Sequence, residues 1–543
     1  MQKPWYKRRR YWTLAVVTAL VYFCLIPMPL RISPETTGIT SPLLPNGNVD
    51  YFGAFEQTYI HKLSPPEDNG LRLIIAALGP KALEQYALAT SVPWEEMPTH
   101  EHSNWWFENR WIPLCEHMGI DPYAKPQYLD NHDFHSFLRD EWEANQEEGS
   151  DARYDSSGDE DLRRQLAAAP WRAKEHPNIA RWLEERSPLL DLFGVAVRKP
   201  NFECYRWRPE GGGLSVVLLP DVQSQRQFAR ELQVRITERL EKGDIDGAWY
   251  DVMSMFYLSR KHYIHDPIYV INLVGVAVEG LGWEAAKLVL QHGNLTPEQL
   301  EQFAQDLEAL PQRTTVDSEF ELHMVYAGLQ GVCVRDEETL KHFFSGSGCC
   351  GSGPTSWDKN MLQWITFVLP IDQNIAGKRI TEYLQRAGRM PPDERERMHT
   401  DKCRQVESFW SLFRVPLMRT RSQLIADQVI AKMLFYPGNP AQKTLDHANA
   451  RFDLFRIAVA LERHKSAQGE YPTTLDELVP AYLEEVPIDP CTGSKTLTYK
   501  LAPDEATAFL LYSYGANETD DGGDETEDVV LRIMNVTIQN HNR

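Results

Sequence analysis

The sequence predicts a mainly α-helical, extracytoplasmic body behind one N-terminal transmembrane helix, with a small α+β module at the C-terminus. Three observations predict it: an uncharged apolar run at Tyr11–Leu30, helical apolar spacing through about 165–440, and a long amphipathic helix followed by short strands after residue 443.

The apolar run reads YWTLAVVTALVYFCLIPMPL. Twenty helical residues rise about 30 Å, the thickness of a bilayer's hydrocarbon core. Tyr11 and Trp12 fall where amphipathic rings favour the headgroup level. Lys3, Lys7, Arg8, Arg9 and Arg10 precede the run and only Arg31 follows closely, so the asymmetry places the N-terminus in the cytoplasm and the bulk outside a cell membrane crossed once. The alternatives are a buried segment and a cleaved signal peptide, which would share the basic start. No small-residue cleavage pattern follows, however, and an uncleaved anchor in a lipid bilayer is the reading taken.

With 543 residues the chain has room for two to four domains, and its formal net charge of -21 argues against nucleic acid as a partner. The eight cysteines are scattered, and no Cys-x-x-Cys occurs, so neither a disulfide scaffold nor a zinc ribbon is indicated. Cys349 and Cys350 read either as a strained vicinal disulfide or as two cysteines not bonded to each other.

The segments expected are a basic tail at 1–10, the anchor at 11–30, a Pro- and Thr-rich stalk at 31–50, a mixed region with an acidic loop at 51–164, a helical domain at 165–440, and the terminal module at 444–543. In the helical domain Phe228, Leu232, Val234 and Ile236 mark the face of a helix near 222–242, and a Gly-Asp turn leads to another near 246–260. The pairing is similar to paired-helix repeats, but no fixed period exists. Ile268–Leu290 is apolar enough to suggest a second span. Glu279, Glu284 and Lys287 fall inside it, and a charge near mid-bilayer costs about 3 kcal/mol, so a buried core helix is expected. Thr296, Pro297 and Gln299 form a capping box, ahead of Leu300, Phe303, Leu307 and Leu310 on one face.

After residue 443, Leu445, Ala448, Phe452, Phe455 and Val459 give an amphipathic helix to about 466. Thr474 and Glu477 pair ahead of a short helix, and strands are expected at Leu497–Tyr499, Phe509–Tyr512 and Val529–Val536. The pieces ALERHKSAQGEYPTTLDELV, VPIDPCTG and LYSYGANETDDGGDETEDVV, in that order, resemble the globular part of the major pseudopilins of type II secretion systems over about 445–531. The family joins its membrane helix directly to this domain behind a processed leader, whereas here the apolar run lies some 400 residues away without such a site. The resemblance therefore implies a different protein carrying a pseudopilin-like module, with partners in a secretion or envelope assembly.

The resemblance also implies calcium in the acidic loop, pointing at Asn517, Asp524 and Asp528. Calcium takes six to eight oxygens from a flexible loop, and Asn517, Asp520, Asp521, Asp524 and Asp528 offer them around Gly522 and Gly523. A solvated acidic loop without an ion is the plain alternative.

Catalysis has weaker support. His100, His102, His132 and His135 lack metalloprotease spacing, Gly211–Gly213 lack the Lys-Ser/Thr step of a phosphate loop, and no Gly-x-Ser-x-Gly elbow occurs. The leading expectation is a noncatalytic, membrane-anchored scaffold or binding protein. The alternatives are a hydrolase with its site in the helical body, and a carbohydrate- or peptide-binding protein using Trp105, Trp106 and Trp111.

Overall fold

The computed structural model describes residues 28–59, 64–83, 106–128, 137–138, 140–141, 156–204, 222–265, 269–292, 294–313, 319–334, 371–387, 418–433, 439–502, 504 and 506–534, with 12–13, 16–17, 389–390, 394, 397–399 and 401–402. In chain order its helices are α1 (Tyr51–Tyr59), α2 (Leu71–Leu78), α3 (Ile112–Met118), α4 (Ser156–Ala168), α5 (Pro177–Val197), α6 (Val222–Lys242), α7 (Ile245–His265), α8 (Tyr269–His292), α9 (Pro297–Glu308), α10 (Glu319–Val334), α11 (Gln373–Ala387), α12 (Met418–Met433) and α13 (Asn439–Gln468). The strands are β1 (Thr498–Leu501), β2 (Thr507–Ser513) and β3 (Val529–Met534). A mainly helical chain with a small terminal sheet is what the apolar spacing predicts.

The membrane part of that expectation is corrected. Among the described residues no helix is long and apolar enough to cross a membrane, so the single-pass transmembrane architecture and the cell-membrane placement are not supported. Most of Tyr11–Leu30 lies outside the described residues. Its end, Met28–Leu30, is non-helical and tied sideways: Asn374 donates its amide to the Pro29 carbonyl at 3.0 Å, and the Met28 N–H reaches Asp372 at 3.4 Å. Composition and flanking charge cannot register such backbone contacts. Nor are residues 31–50 a free stalk. Thr36, Thr37 and Val49 are buried, and Gln330 brackets Val49 by bonding both its N–H and its carbonyl.

The chain forms two compact units, each discontinuous in sequence: Met1–Leu63 with Arg206–Leu219 and Asp317–Pro440, and Ser64–Tyr205 with Pro220–Val316 and Ala441–Arg543. The first unit packs α10, α11 and α12 together, with a core of Val325, Leu329, Ile380, Ile425 and Val429. A helical turn at Pro34–Thr37 lies on α11 at Gly377. A Cβ there would stand 1.9 Å from the Thr36 carbonyl oxygen, so glycine is required by close approach.

The second unit is built around α6, which packs against α4, α5, α7 and α8. Phe228 of α6 stacks on Phe193 of α5 with ring centroids 4.3 Å apart. Arg235 of α6 donates to both oxygens of the fully buried Asp251 on α7 (2.8 and 2.6 Å) and to Asp191 on α5. Such planar, bidentate pairing holds three helices in register.

The α8 helix is the core helix its charges predict. Glu279 is 1 % exposed and accepts from Ser259, Arg260 and Arg313. Burial alone would raise its carboxyl, but the two guanidiniums outweigh it and hold it below the ordinary range. The α9 box forms as expected: the Gln299 N–H donates to Thr296 Oγ1 at 3.2 Å, and the Thr296 N–H donates to Gln299 Oε1 at 3.1 Å.

The terminal residues build into this second unit. Phe455 of α13 is 5.2 Å from the Trp283 ring, and Trp249 lies between Phe303 (3.8 Å) and Phe455 (6.3 Å). Arg313 bonds to Asn449, and Arg260 lies over the Phe452 ring. The sheet is antiparallel in the order β1-β2-β3, with β2 buried along its whole length and β3 alternating. Gln291 of α8 donates to the Arg532 carbonyl of β3 at 3.3 Å.

On α13, burial pushes the Asp453 carboxyl up to about 6 against the opposing charges of Arg456, Arg313 and Arg260. A carboxyl raised on folding favours the folded state while protonated, and that contribution is lost as pH rises through the folded value. Stability should therefore fall between about pH 4 and 7 by roughly 1–3 kcal/mol on this account. Asp453→Asn should flatten that slope in denaturant unfolding followed across pH.

Candidate functional site

The structure brings only part of the acidic loop's predicted set together. Asn517 donates to Asp521 at 2.8 Å and to Glu527 at 3.3 Å. Asp520 Oδ1 accepts from the Gly522 N–H at 3.0 Å and from the Tyr512 hydroxyl at 2.9 Å, which anchors the loop to β2. Asp524 turns away into a local cap. Its Oδ1 accepts the backbone N–H (2.9 Å) and hydroxyl (2.8 Å) of Thr526, and those bonds hold its carboxyl below the ordinary range.

Asp528 stands apart chemically. It is 6 % exposed at the foot of β3, and its Oδ2 accepts from the Gly523 N–H at 2.8 Å. The φ of +87° at Gly523 lets the backbone double back far enough for that bond. Its other oxygen, Oδ1, is buried with no hydrogen-bond partner among the described residues. Burial raises its carboxyl, and the neighbouring charges of Asp521 and Asp520 raise it further. A buried acceptor left unpaired costs about 1–3 kcal/mol, and a cation would relieve both that cost and the repulsion. Nearby, Lys500 donates to the Gly522 carbonyl at 3.0 Å. Among the described residues, no three His, Cys, Asp or Glu groups converge in a metal-ready arrangement.

The turn that carries VPIDPCTG is tied to the same end of the sheet. Asp489, fully buried, accepts from the Cys491 and Tyr514 N–H groups at 2.9 Å each and from the Ser513 hydroxyl at 2.7 Å. This locks the loop's entry at Ser513–Gly515.

The other sequence candidates do not assemble a site. Trp111 is 1 % exposed, stacks on Trp106 and donates to the Pro122 carbonyl, which makes it core. Trp105, His100, His102, His132, His135, Gly211–Gly213, Cys349 and Cys350 lie outside the described residues.

One feature escaped the sequence. A partly open groove of about 440 Å³ runs between α7 and α9 beside the end of α5. Its floor is Trp249, Met253 and Phe303, and its rim carries Asp246, Glu298 and Asp306. Gln299 donates to Asp246 at 2.7 Å, while Gln302 and the Trp249 indole each donate to Asp306 at 2.8 Å. Arg198 closes one end, 3.7 Å from the Tyr250 ring centroid and 5.2 Å from that of Tyr257. No local motif marks these residues, because α7, α9 and the residue that follows α5 supply them from separate parts of the sequence. No family model, curated protein or solved structure matches the chain.

Proposed function

We propose that this chain is a noncatalytic scaffold or binding protein whose terminal module takes a calcium ion in the 517–528 loop and docks with partners in a secretion or envelope assembly. The observation that carries the ion is Asp528 Oδ1, a buried acceptor without a partner among the described residues, under the charge of Asp520 and Asp521. The partner assignment rests on the resemblance of residues 445–531 to the pseudopilin globular domain. Calcium suits the loop because it accepts backbone carbonyls as readily as carboxylates and tolerates irregular geometry.

The test is calcium titration by calorimetry and thermal melting on the full chain, since the terminal residues pack against Trp249 and Trp283. Saturable binding should raise the melting temperature by a few degrees, as any ligand that prefers the folded state does. Asp521→Asn Asp528→Asn should abolish both signals, the amides keeping the carboxylates' size. A folded wild-type chain giving no heat and an unmoved melt would remove the ion.

A further inference from the structure

The α7–α9 groove lies apart from the calcium loop in sequence, and its chemistry is one-sided. Among the described residues three carboxylates line it, at Asp246, Glu298 and Asp306, against one guanidinium, Arg198. That guanidinium is already committed. It donates to the Gly194 carbonyl and the Ser254 hydroxyl at 2.8 Å each and to the Tyr250 carbonyl at 3.1 Å. The amides of Gln299 and Gln302 are spent holding Asp246 and Asp306 in place. What the groove offers a ligand is therefore fixed, oriented acceptors over an apolar floor.

We propose that this groove binds lysine side chains of a basic peptide segment. An ammonium group would lie among the rim carboxylates, while its aliphatic stem covers Met253 and the Tyr257 ring. Charge-assisted bonds of this kind are about twice as strong as neutral ones. The volume suits one or two side chains rather than a folded surface. The chain's net charge of -21 steers a basic partner toward it.

A sugar is a poorer fit, because the faces of Trp249 and Tyr250 are already taken, leaving only Tyr257 of those three rings for stacking. Phe303 and Phe455 flank Trp249 on both sides, and Arg198 covers Tyr250. A bare metal ion fits no better, since Asp246 already accepts from Gln299 and Asp306 from both Gln302 and Trp249. The inference goes beyond the scaffold reading and stands whether or not the terminal loop holds calcium.

The experiment is titration of the full chain with hexalysine by calorimetry at low salt, with fully Nε-acetylated hexalysine as the uncharged control. Saturable binding by the charged peptide alone is expected, weakening as salt screens the groove. Asp246→Asn Glu298→Gln should lower the affinity roughly tenfold. Glu298→Lys, a change at an exposed rim position, should lower it at least as much. Asp520→Asn Asp521→Asn in the terminal loop should leave it unchanged. Absence of binding, equal binding of the acetylated peptide, wild-type affinity in the rim variants, or a loss that follows the loop variant instead would each overturn the proposal.

Discussion

Glu279→Gln should lower the free energy of unfolding by about 3–5 kcal/mol, read from the midpoint of denaturant unfolding at an unchanged slope. The size follows from what is left behind. Arg260 is 4 % exposed and the Arg313 side chain 7 %, and both direct their donors at this carboxylate. The amide keeps the shape but removes the counter-charge, so two guanidiniums face each other in a medium that screens them poorly. Ser259 retains a partner, which confines the effect to charge. Adding Arg313→Met to Glu279→Gln should recover part of the loss, because one of the two stranded cations is gone. A loss below about 1 kcal/mol would mean that Asp453 takes over as counter-ion for the pair.

Phe455→Ala should cost a similar 3–5 kcal/mol, the range for emptying a buried aromatic site. Phe455 is 1 % exposed and fills the space between Trp249 and Trp283, two rings that α7 and α8 contribute. Neither indole can collapse into the gap, since Trp249 is held by Phe303 and by its bond to Asp306, and Trp283 by Phe256 at 4.4 Å. The variant should also become sensitive to limited proteolysis in residues 441–468 under conditions where the wild type resists. An unchanged midpoint would show that α13 holds through Arg313 and Arg463 rather than through this aromatic stack.

Much of this architecture is legible locally. The spacing that predicts a helix near 222–242 describes α6, and Thr296 with Gln299 marks the start of α9 because a capping box needs only four consecutive residues. The apolar stretches within 507–513 and 529–534, with Phe509, Tyr512, Val529, Val530 and Ile533, likewise announce their own strands. What local reading misses is pairing over distance. Gln330 secures Val49 across 281 positions, and Asn374 takes the end of an apolar run that by composition alone belongs in a bilayer.

The acidic loop shows the same division within a single stretch. Its carboxylates and glycines are visible in the sequence, but Asp524 looks equivalent to Asp528 there. Only the fold separates them, one spent on Thr526 and the other buried with an oxygen to spare. The groove is further from reach, because Arg198 follows the end of α5 while Tyr257 and Glu298 belong to α7 and α9, and they share no spacing that periodicity could detect.

The interleaving of the two units sets a timetable for synthesis. Trp249 and Trp283 leave the ribosome well before the residues that cover them, with the whole of Asp317–Pro440 still to be translated in between. At ordinary elongation rates that interval lasts roughly 6–25 s, far longer than helices need to form. During it the nascent chain carries indole faces that Phe455 has yet to cover. A ribosome stalled within Asp317–Pro440 would leave an aggregation-prone product whose helices are already in place.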